Sequence, residues 1–463
     1  MRRVLLLLAL PMMVMAADWP TYKADAARSG IISEELNLPL KEEWVHRSPH
    51  RPRPAWRAPA REDLYRGKGQ RLHNRQTFDH AYHAISVGDS IFYGSSADDQ
   101  IYCLDAKTGR VRWTYFTEGP IRLAPTFHKD KLYVGSDDGH VYCLGLNGKL
   151  LWKTRLALGN YRIAGNGRII SAWPVRSGVL IDKGIAYAAA GMFPSEGVRV
   201  YALDAVEGGI KWSSKLQTDV PAQGYLLMSE NNLYVPAGRD NPVVYERVSG
   251  KRLRKLGGKG GTDVTMHGDT VFAGPGRTGQ IGLVPPGQTK VFYTFFGKPS
   301  HQRTQMVVTP ERFYLGGAGE LRAMNHPEFL KQEKDRQQTS GRIGKLNEHI
   351  KNARRGKPTP KPLPDLEKEL NKEKMHMEIV QANIKKCHQW KASSEFSDAL
   401  ILAGDTLFAG GDNVVTAHRV QDGREVWRHA VSGRALGLSV ANGHLLVSTD
   451  QGVIHSFAAK SIQ

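Results

Sequence analysis

Arginines at matching positions of a repeat are the residues whose type and spacing could do chemistry. Arg122 lies in Pro-Ile-Arg-Leu-Ala-Pro and Arg176 in Trp-Pro-Val-Arg-Ser-Gly. Gln223 and Arg303 fall at the same offset in later units, and Arg434 lies one residue from the matching place in another. Planar guanidiniums gathered at one mouth would bind carboxylate, sulfate or phosphate through paired N–H donors. Arg122, Arg176, Gln223, Arg303 and Arg434 are therefore the expected anion or ligand funnel. The competing reading pairs each arginine with a local acid, such as Asp263 or Asp398. A one-residue slip in register would also turn these side chains to the other face.

Catalytic signatures do not accompany the arginines. The sequence has no Gly-x-Ser-x-Gly elbow, phosphate loop or zinc-protease helix. Gly257-Gly258-Lys259-Gly260-Gly261 precedes no helical pattern and reads as a turn. Asp137-Asp138 resembles a metal pair but sits in a Ser-Asp-Asp-Gly turn. No catalytic and no metal-ligating residue is assigned. The three cysteines, Cys103, Cys143 and Cys387, are too few and too scattered for a disulfide framework. Cys103 and Cys143 occupy equivalent repeat positions and read as small buried fillers.

The elements that would position the funnel come from the repeat itself. Cys103-Leu104-Asp105-Ala106-Lys107-Thr108-Gly109 reaches Trp113, and Ala202-Leu203-Asp204-Ala205-Val206-Glu207-Gly208 reaches Trp212 with the same spacing. Ala417 to Trp427 repeats the unit, and Cys143 to Trp152 has one residue fewer. Short apolar strands ending in small residues precede the copies. Strands and glycine turns recurring near every 40 residues indicate a β-propeller of four-stranded antiparallel blades. Trp44, Trp113, Trp152, Trp212, Trp390 and Trp427 then fill the wedges between diverging sheets. Units begin near His83, Arg122, Pro174, Pro221, Gly260, Arg303, Phe396 and Arg434. The last has no tryptophan strand of its own, and Trp44 has a strand with no repeat before it. The expected fold is all-β, an eight-bladed propeller closed by the amino-terminal strand, with seven blades as the alternative.

Two insertions interrupt the repeats. Residues 47–79 hold a basic, Pro/Arg-rich loop expected over one face of the disc. Residues 327–388 read as a helical hairpin, divided by Pro358, Pro360, Pro362 and Pro364, with Leu346, Ile350, Leu366 and Leu370 as its seam. At the start, Arg2-Arg3, the apolar run Val4 to Met15, and Ala16-Ala17 form a signal peptide, 1–17, with cleavage near Ala16/Ala17. The remainder, 18–463, is the propeller. An exported, periplasmic or extracellular protein follows, with no integral membrane segment. Formal net charge is +19, which suits an anionic partner. Export argues against nucleic acid.

The repeats resemble those of the pyrroloquinoline quinone (PQQ) propeller family, which read as small-Leu-Asp-Ala-x-Thr-Gly-x-x-x-Trp. Two branches of that family imply different functions. One is the quinoprotein alcohol dehydrogenases, the other the non-catalytic propeller of the outer-membrane β-barrel assembly machine, which binds protein. Length and blade count are closer to the second, although that propeller is a lipoprotein and this chain lacks the anchor cysteine. The first branch implies an axial metal, a Glu–Asn–Asp ligand set and adjacent cysteines, none of which matches here. The expectation is an exported non-catalytic scaffold without a cofactor, binding a protein or an anionic polymer. A PQQ-dependent oxidoreductase is the alternative, and an enzyme acting on acidic glycans is a further one.

Overall fold

The computed structural model describes residues 17–56, 77–216, 220–238, 240–258, 260–261, 263–274, 279–296 and 304–459. The leader segment 1–16, residues 57–76 of the basic loop, and Arg303 lie outside the described residues. The chain is predominantly β, with two long helices. Four-stranded antiparallel sheets span 85–116, 126–155, 180–216, 227–255, 263–295 and 305–393. The remaining strands, from Ala399–Ala403 to Val453–Ala459, join Ile31–Ile32 and Leu40–Arg47 in one seven-stranded sheet. These sheets form a β-propeller.

Strand composition follows position in the stack. Ser90–Gly94 and Gln100–Asp105 are aromatic and branched, and almost every side chain is buried, because both faces meet neighbouring sheets. The outermost strand, Val111–Phe116, is largely exposed. Between them, the Asp105 carboxylate accepts the backbone N–H groups of Lys107 at 3.1 Å and Thr108 at 2.9 Å. Asp204 does the same for Val206 and Glu207, at 2.8 and 3.1 Å. A bulge follows where the tryptophan strand starts, at Cys103/Leu104 and Ala202/Leu203.

The tryptophans latch each sheet to the next. Trp113 donates its indole N–H to the Leu146 carbonyl at 2.8 Å, and Trp390 donates to Val420 at 2.8 Å. The turn glycine of the following sheet lies flat on the same ring. At Gly109, with φ +66°, a Cβ would stand 2.4 Å from the Trp44 ring. Gly148, Gly208, Gly250 and Gly423 meet Trp113, Trp152, Trp212 and Trp390 in the same way. Glycine is required there both by backbone conformation and by this close approach.

The amino-terminal strand closes the last sheet. Leu40–Arg47 pairs antiparallel with Val453–Ala459, with Trp44 opposite Ser456. The latch crosses this seam: Trp427 donates to the Leu40 carbonyl at 2.9 Å, and Trp44 to Ala106 at 2.9 Å.

The inserted helices are α1 (His326–Ala353) and α2 (Leu363–Lys386). Asn325 caps α1 by accepting the Glu328 N–H at 2.9 Å. Ile350, Leu366 and Leu370 form a small seam of their own. The base of α1 belongs to the propeller core, since Phe329 is fully buried against Phe313 and Phe295.

Two further features have no repeat signature. Residues 17–32 run along the innermost strands rather than away from them. Ala17 accepts from Asn442 N–H, Pro20 from Phe127, Ala26 from Met228, Ala27 from Met266, and Gly30 from Leu402. A short hairpin, Arg162–Gly165 with Arg168–Ser171, also projects between the second and third sheets. Among the described residues, no helix is long and apolar enough to cross a membrane.

Candidate functional site

The segments leading into the first strands of two neighbouring sheets, Thr126–His128 and Leu180–Asp182, place Arg122 and Arg176 together, where they share one acid. Asp137 accepts Arg122 Nε at 2.5 Å, and Arg176 Nε and Nη2 at 2.8 and 2.7 Å. Arg122 Nη1 also reaches Asp79 at 3.0 Å. All four side chains are 3% exposed or less. Two cations and two anions therefore neutralise each other inside the protein. Burial disfavours the Asp137 carboxylate, but Arg122 and Arg176 outweigh it and hold its pKa below the usual range. Burial likewise opposes the Arg122 charge, and Asp137 with Asp79 more than offsets it, raising its pKa.

The described start of the basic loop fills the space in front of these groups. The Arg53 carbonyl accepts Arg122 Nη1 at 2.8 Å, and the Ala55 N–H donates to Asp79 at 2.6 Å. Gln223, buried and bridged to Ala237 ahead of the strand Leu227–Met228, accepts the Trp56 indole N–H at 3.1 Å. Asn166, at the tip of the projecting hairpin, donates to the Pro54 carbonyl at 2.5 Å. Arg122, Arg176 and Gln223 are thus brought to one mouth, and the chain's own segment occupies it. Arg303 lies outside the described residues.

Arg434 sits elsewhere. Its guanidinium is 44% exposed and contacts Asp398 at 3.1 Å. It lines an open polar groove of about 630 Å³ with Arg47, Arg51, Asp412 and Asp450. Three arginines face two aspartates there.

The opposite end of the channel is closed by residues 17–32. Tyr22 stacks on Tyr225 with centroids 3.7 Å apart, and the buried Arg28 donates to the Leu226 carbonyl at 2.9 Å. Burial lowers the Arg28 pKa to about 10. Between the two closures lies a chamber lined by Tyr22, Lys23, His83, Asp263 and Gln305. Lys23 Nζ reaches Gln305 Oε1 at 3.3 Å, and burial lowers the pKa of its ammonium, with Asp263 opposing. The chamber measures about 50 Å³. That suits a few waters and falls far short of the roughly 300 Å³ at which small-molecule and cofactor pockets begin. Among the described residues, no three His, Cys, Asp or Glu side chains group as a metal site needs. The free thiols Cys103 and Cys143 are buried, and burial raises each to about 11, which suppresses the reactive thiolate.

By their Ser-Asp-Asp-Gly context, Asp137 and Asp138 are expected only in a turn. Asp138 does serve its turn, accepting Glu118 N–H at 3.1 Å and His140 N–H at 2.8 Å. Asp137 is instead the acid between two arginines. Asp79 and residues 53–56, which fill this mouth, carry no repeat signal. Spacing within a repeat cannot signal contacts made by an insertion. The one available hint was that two adjacent channel arginines require a carboxylate.

Known proteins bear on this arrangement. The family described as "Outer membrane protein assembly factor BamB" matches residues 53–171 and 385–461. Together these stretches make up less than half of the chain, and they are the part that carries the likeness to the PQQ-repeat propellers. The quinoprotein ethanol dehydrogenase of Pseudomonas aeruginosa is 32% identical over 81 residues, which cover 15% of this chain and only 13% of that protein. A europium-containing methanol dehydrogenase superposes with TM-score 0.57 at 11% identity, covering 96% of this chain and 98% of that one. The computationally designed Ika8 protein gives TM-score 0.54 at 13% identity, over 82% and 97% of the two chains. BamB from Moraxella catarrhalis is 14% identical, over 81% of each chain, with TM-score 0.42. At these identities the structural likeness is one of fold.

Proposed function

We propose that this PQQ-repeat protein is an exported, non-catalytic scaffold of eight blades that binds a protein or an anionic polymer at its surface. The observation that carries the reading is the double closure of the channel. One mouth is filled by residues 53–56 with Asp79, the other by residues 17–32, and the arginines at the first mouth are neutralised internally. A propeller that fills its own channel leaves its faces and rim for recognition. The blade count rests on six separate four-stranded sheets plus a seven-stranded sheet. In that last sheet, the strand Glu425–Ala441 serves one unit through 425–434 and the next through 435–441.

Of the expected funnel residues, Arg434 is the one best placed to meet an external anion, with Arg47 and Arg51 beside it. Binding of an acidic polymer there weakens with salt and with Arg434→Ala, while Arg122→Ala acts on stability instead. Salt-insensitive binding that survives Arg434→Ala would remove the groove from the site. The oxidoreductase alternative is tested by titrating purified protein with PQQ and Ca²⁺. A saturable absorbance change with dye-linked alcohol oxidation would overturn the scaffold reading.

A further inference from the structure

The outer rim of the ring is not uniform. The second residue before the wedge tryptophan starts the outermost strand before Trp113, Trp152, Trp212, Trp390 and Trp427, and lies within it before Trp44. On the first three sheets this residue is Val111, Leu150 or Ile210, each exposed. At the matching places before Trp390, Trp427 and Trp44 stand His388, Glu425 and Glu42. One fold position is therefore aliphatic on one arc and ionisable on the other.

The turns just before these strands repeat the contrast. Leu146, Val206 and Val248 occupy the tips on three consecutive sheets, and Val206 and Val248 are 62% and 86% exposed. Each turn is pinned by its glycine to the preceding sheet's tryptophan, Gly148 on Trp113, Gly208 on Trp152 and Gly250 on Trp212. The tips consequently sit at a common height, side by side. Lys107, Lys149 and Lys251 are exposed beside this arc and enter no ion pair among the described residues. Together these residues make one apolar stretch whose fringe carries Lys107, Lys149 and Lys251 against the exposed acids Glu207 and Glu246, on a chain of net charge +19.

We infer that this arc, centred on Leu146, Val206 and Val248 with Lys107, Lys149 and Lys251, docks the face of the ring that carries these turns against an anionic lipid leaflet. Aliphatic side chains standing out singly from coplanar turns do not line a cleft that would hold a folded partner's side chain. They fit a surface that yields around each of them, as a headgroup layer does. The lysines supply the attraction to acidic headgroups, which acts within a Debye length of the surface. An exposed aliphatic arc of this extent in an aqueous compartment otherwise has only a cost.

The test is sedimentation of the protein lacking the leader, residues 18–463, with vesicles of phosphatidylcholine alone or with about 30 mol% phosphatidylglycerol, at low and high salt. The expected result is binding to the anionic vesicles, weakened by salt, and little binding to the neutral ones. Val206→Asp/Val248→Asp should lower that partitioning about tenfold or more. Lys107→Glu/Lys149→Glu/Lys251→Glu should lower it about a hundredfold. Both variants change exposed turn residues, so their melting should match the parent, and either one suffices if the other fails to fold. The inference is overturned if the parent ignores anionic vesicles or binds neutral ones equally. Variants that bind as the parent does overturn it as well. So does a parent that is dimeric by light scattering and becomes monomeric in the variants, which would make the arc a contact between copies.

Discussion

Replacing Asp137 with asparagine should destabilise the ring more than any single change at an exposed acid. The side chain is fully buried and carries three charge-assisted contacts of 2.5–2.8 Å to Arg122 and Arg176. Arg122 retains Asp79 at 3.0 Å, so the loss falls mainly on Arg176. Its remaining side-chain partner is the Met192 sulfur at 3.1 Å. Leaving a buried guanidinium without its acid costs about 3–5 kcal/mol. A domain of this size unfolds with a large entropy, so the cost lowers Tm by only about 3–5 °C, and urea unfolding is the sharper assay. The midpoint should fall with an unchanged slope. Adding Arg176→Met should recover part of the loss, since the stranded charge is then gone. The pH dependence has a definite sign. The Asp137 pKa is depressed in the folded state, so its stabilisation is full above the unfolded value near 3.9 and is lost as pH falls below it. The gap between parent and variant should therefore close in acid. An Asp137→Asn protein within about 0.5 kcal/mol of the parent at neutral pH would refute the reasoning.

Trp44→Ala should cost about 3–5 kcal/mol by urea unfolding, because it empties the wedge at the ring seam and removes the bond to Ala106. Replacing residues 343–372 by a short Gly/Ser turn should leave the melting of the ring unchanged, since the seam of Ile350, Leu366 and Leu370 is separate from the propeller core. Phe329→Ala, at the base of the same hairpin, should cost about 3–5 kcal/mol. His455 donates through Nδ1 to Glu42 at 2.6 Å and accepts the Ser432 N–H through Nε2 at 3.1 Å, which requires the neutral ring. Burial lowers its pKa despite Glu42, so its contribution is full above about pH 6.5 and is lost as pH falls toward the lower folded value. Thermal melts across that range should fall less steeply for His455→Gln than for the parent.

The repeat was legible because its chemistry is local. Asp105 must cap its own turn, Gly109 must take a positive φ, and a large ring must follow after a fixed number of residues. Those constraints lie within eleven residues; the glycine and the ring survive in four copies and the aspartate in two, so the sheets and the tryptophan wedges could be read directly. Closure by the strand around Trp44 was legible for a related reason, because an unmatched half-repeat at each end leaves one pairing that removes both open edges. The helical hairpin announced itself through spacing and its proline-rich middle.

The candidate site was legible only in part. Repeat equivalence placed Arg122 and Arg176 at one mouth, as position within a blade dictates. It could not say what faces them, because Asp79 and residues 53–56 come from an insertion with no counterpart in the repeat. Nor could it place Arg434 on an outer groove, or reveal that residues 17–32 cross the far end of the channel. The sequence by itself determined the repeating unit, the ring and the positive charge, since each depends on neighbours along the chain or on composition alone. Whether the channel is open or filled was decided only by the tertiary structure. That outcome depends on segments of about 15 residues reaching innermost strands hundreds of residues away, where a carbonyl or carboxylate finds its donor by proximity in space.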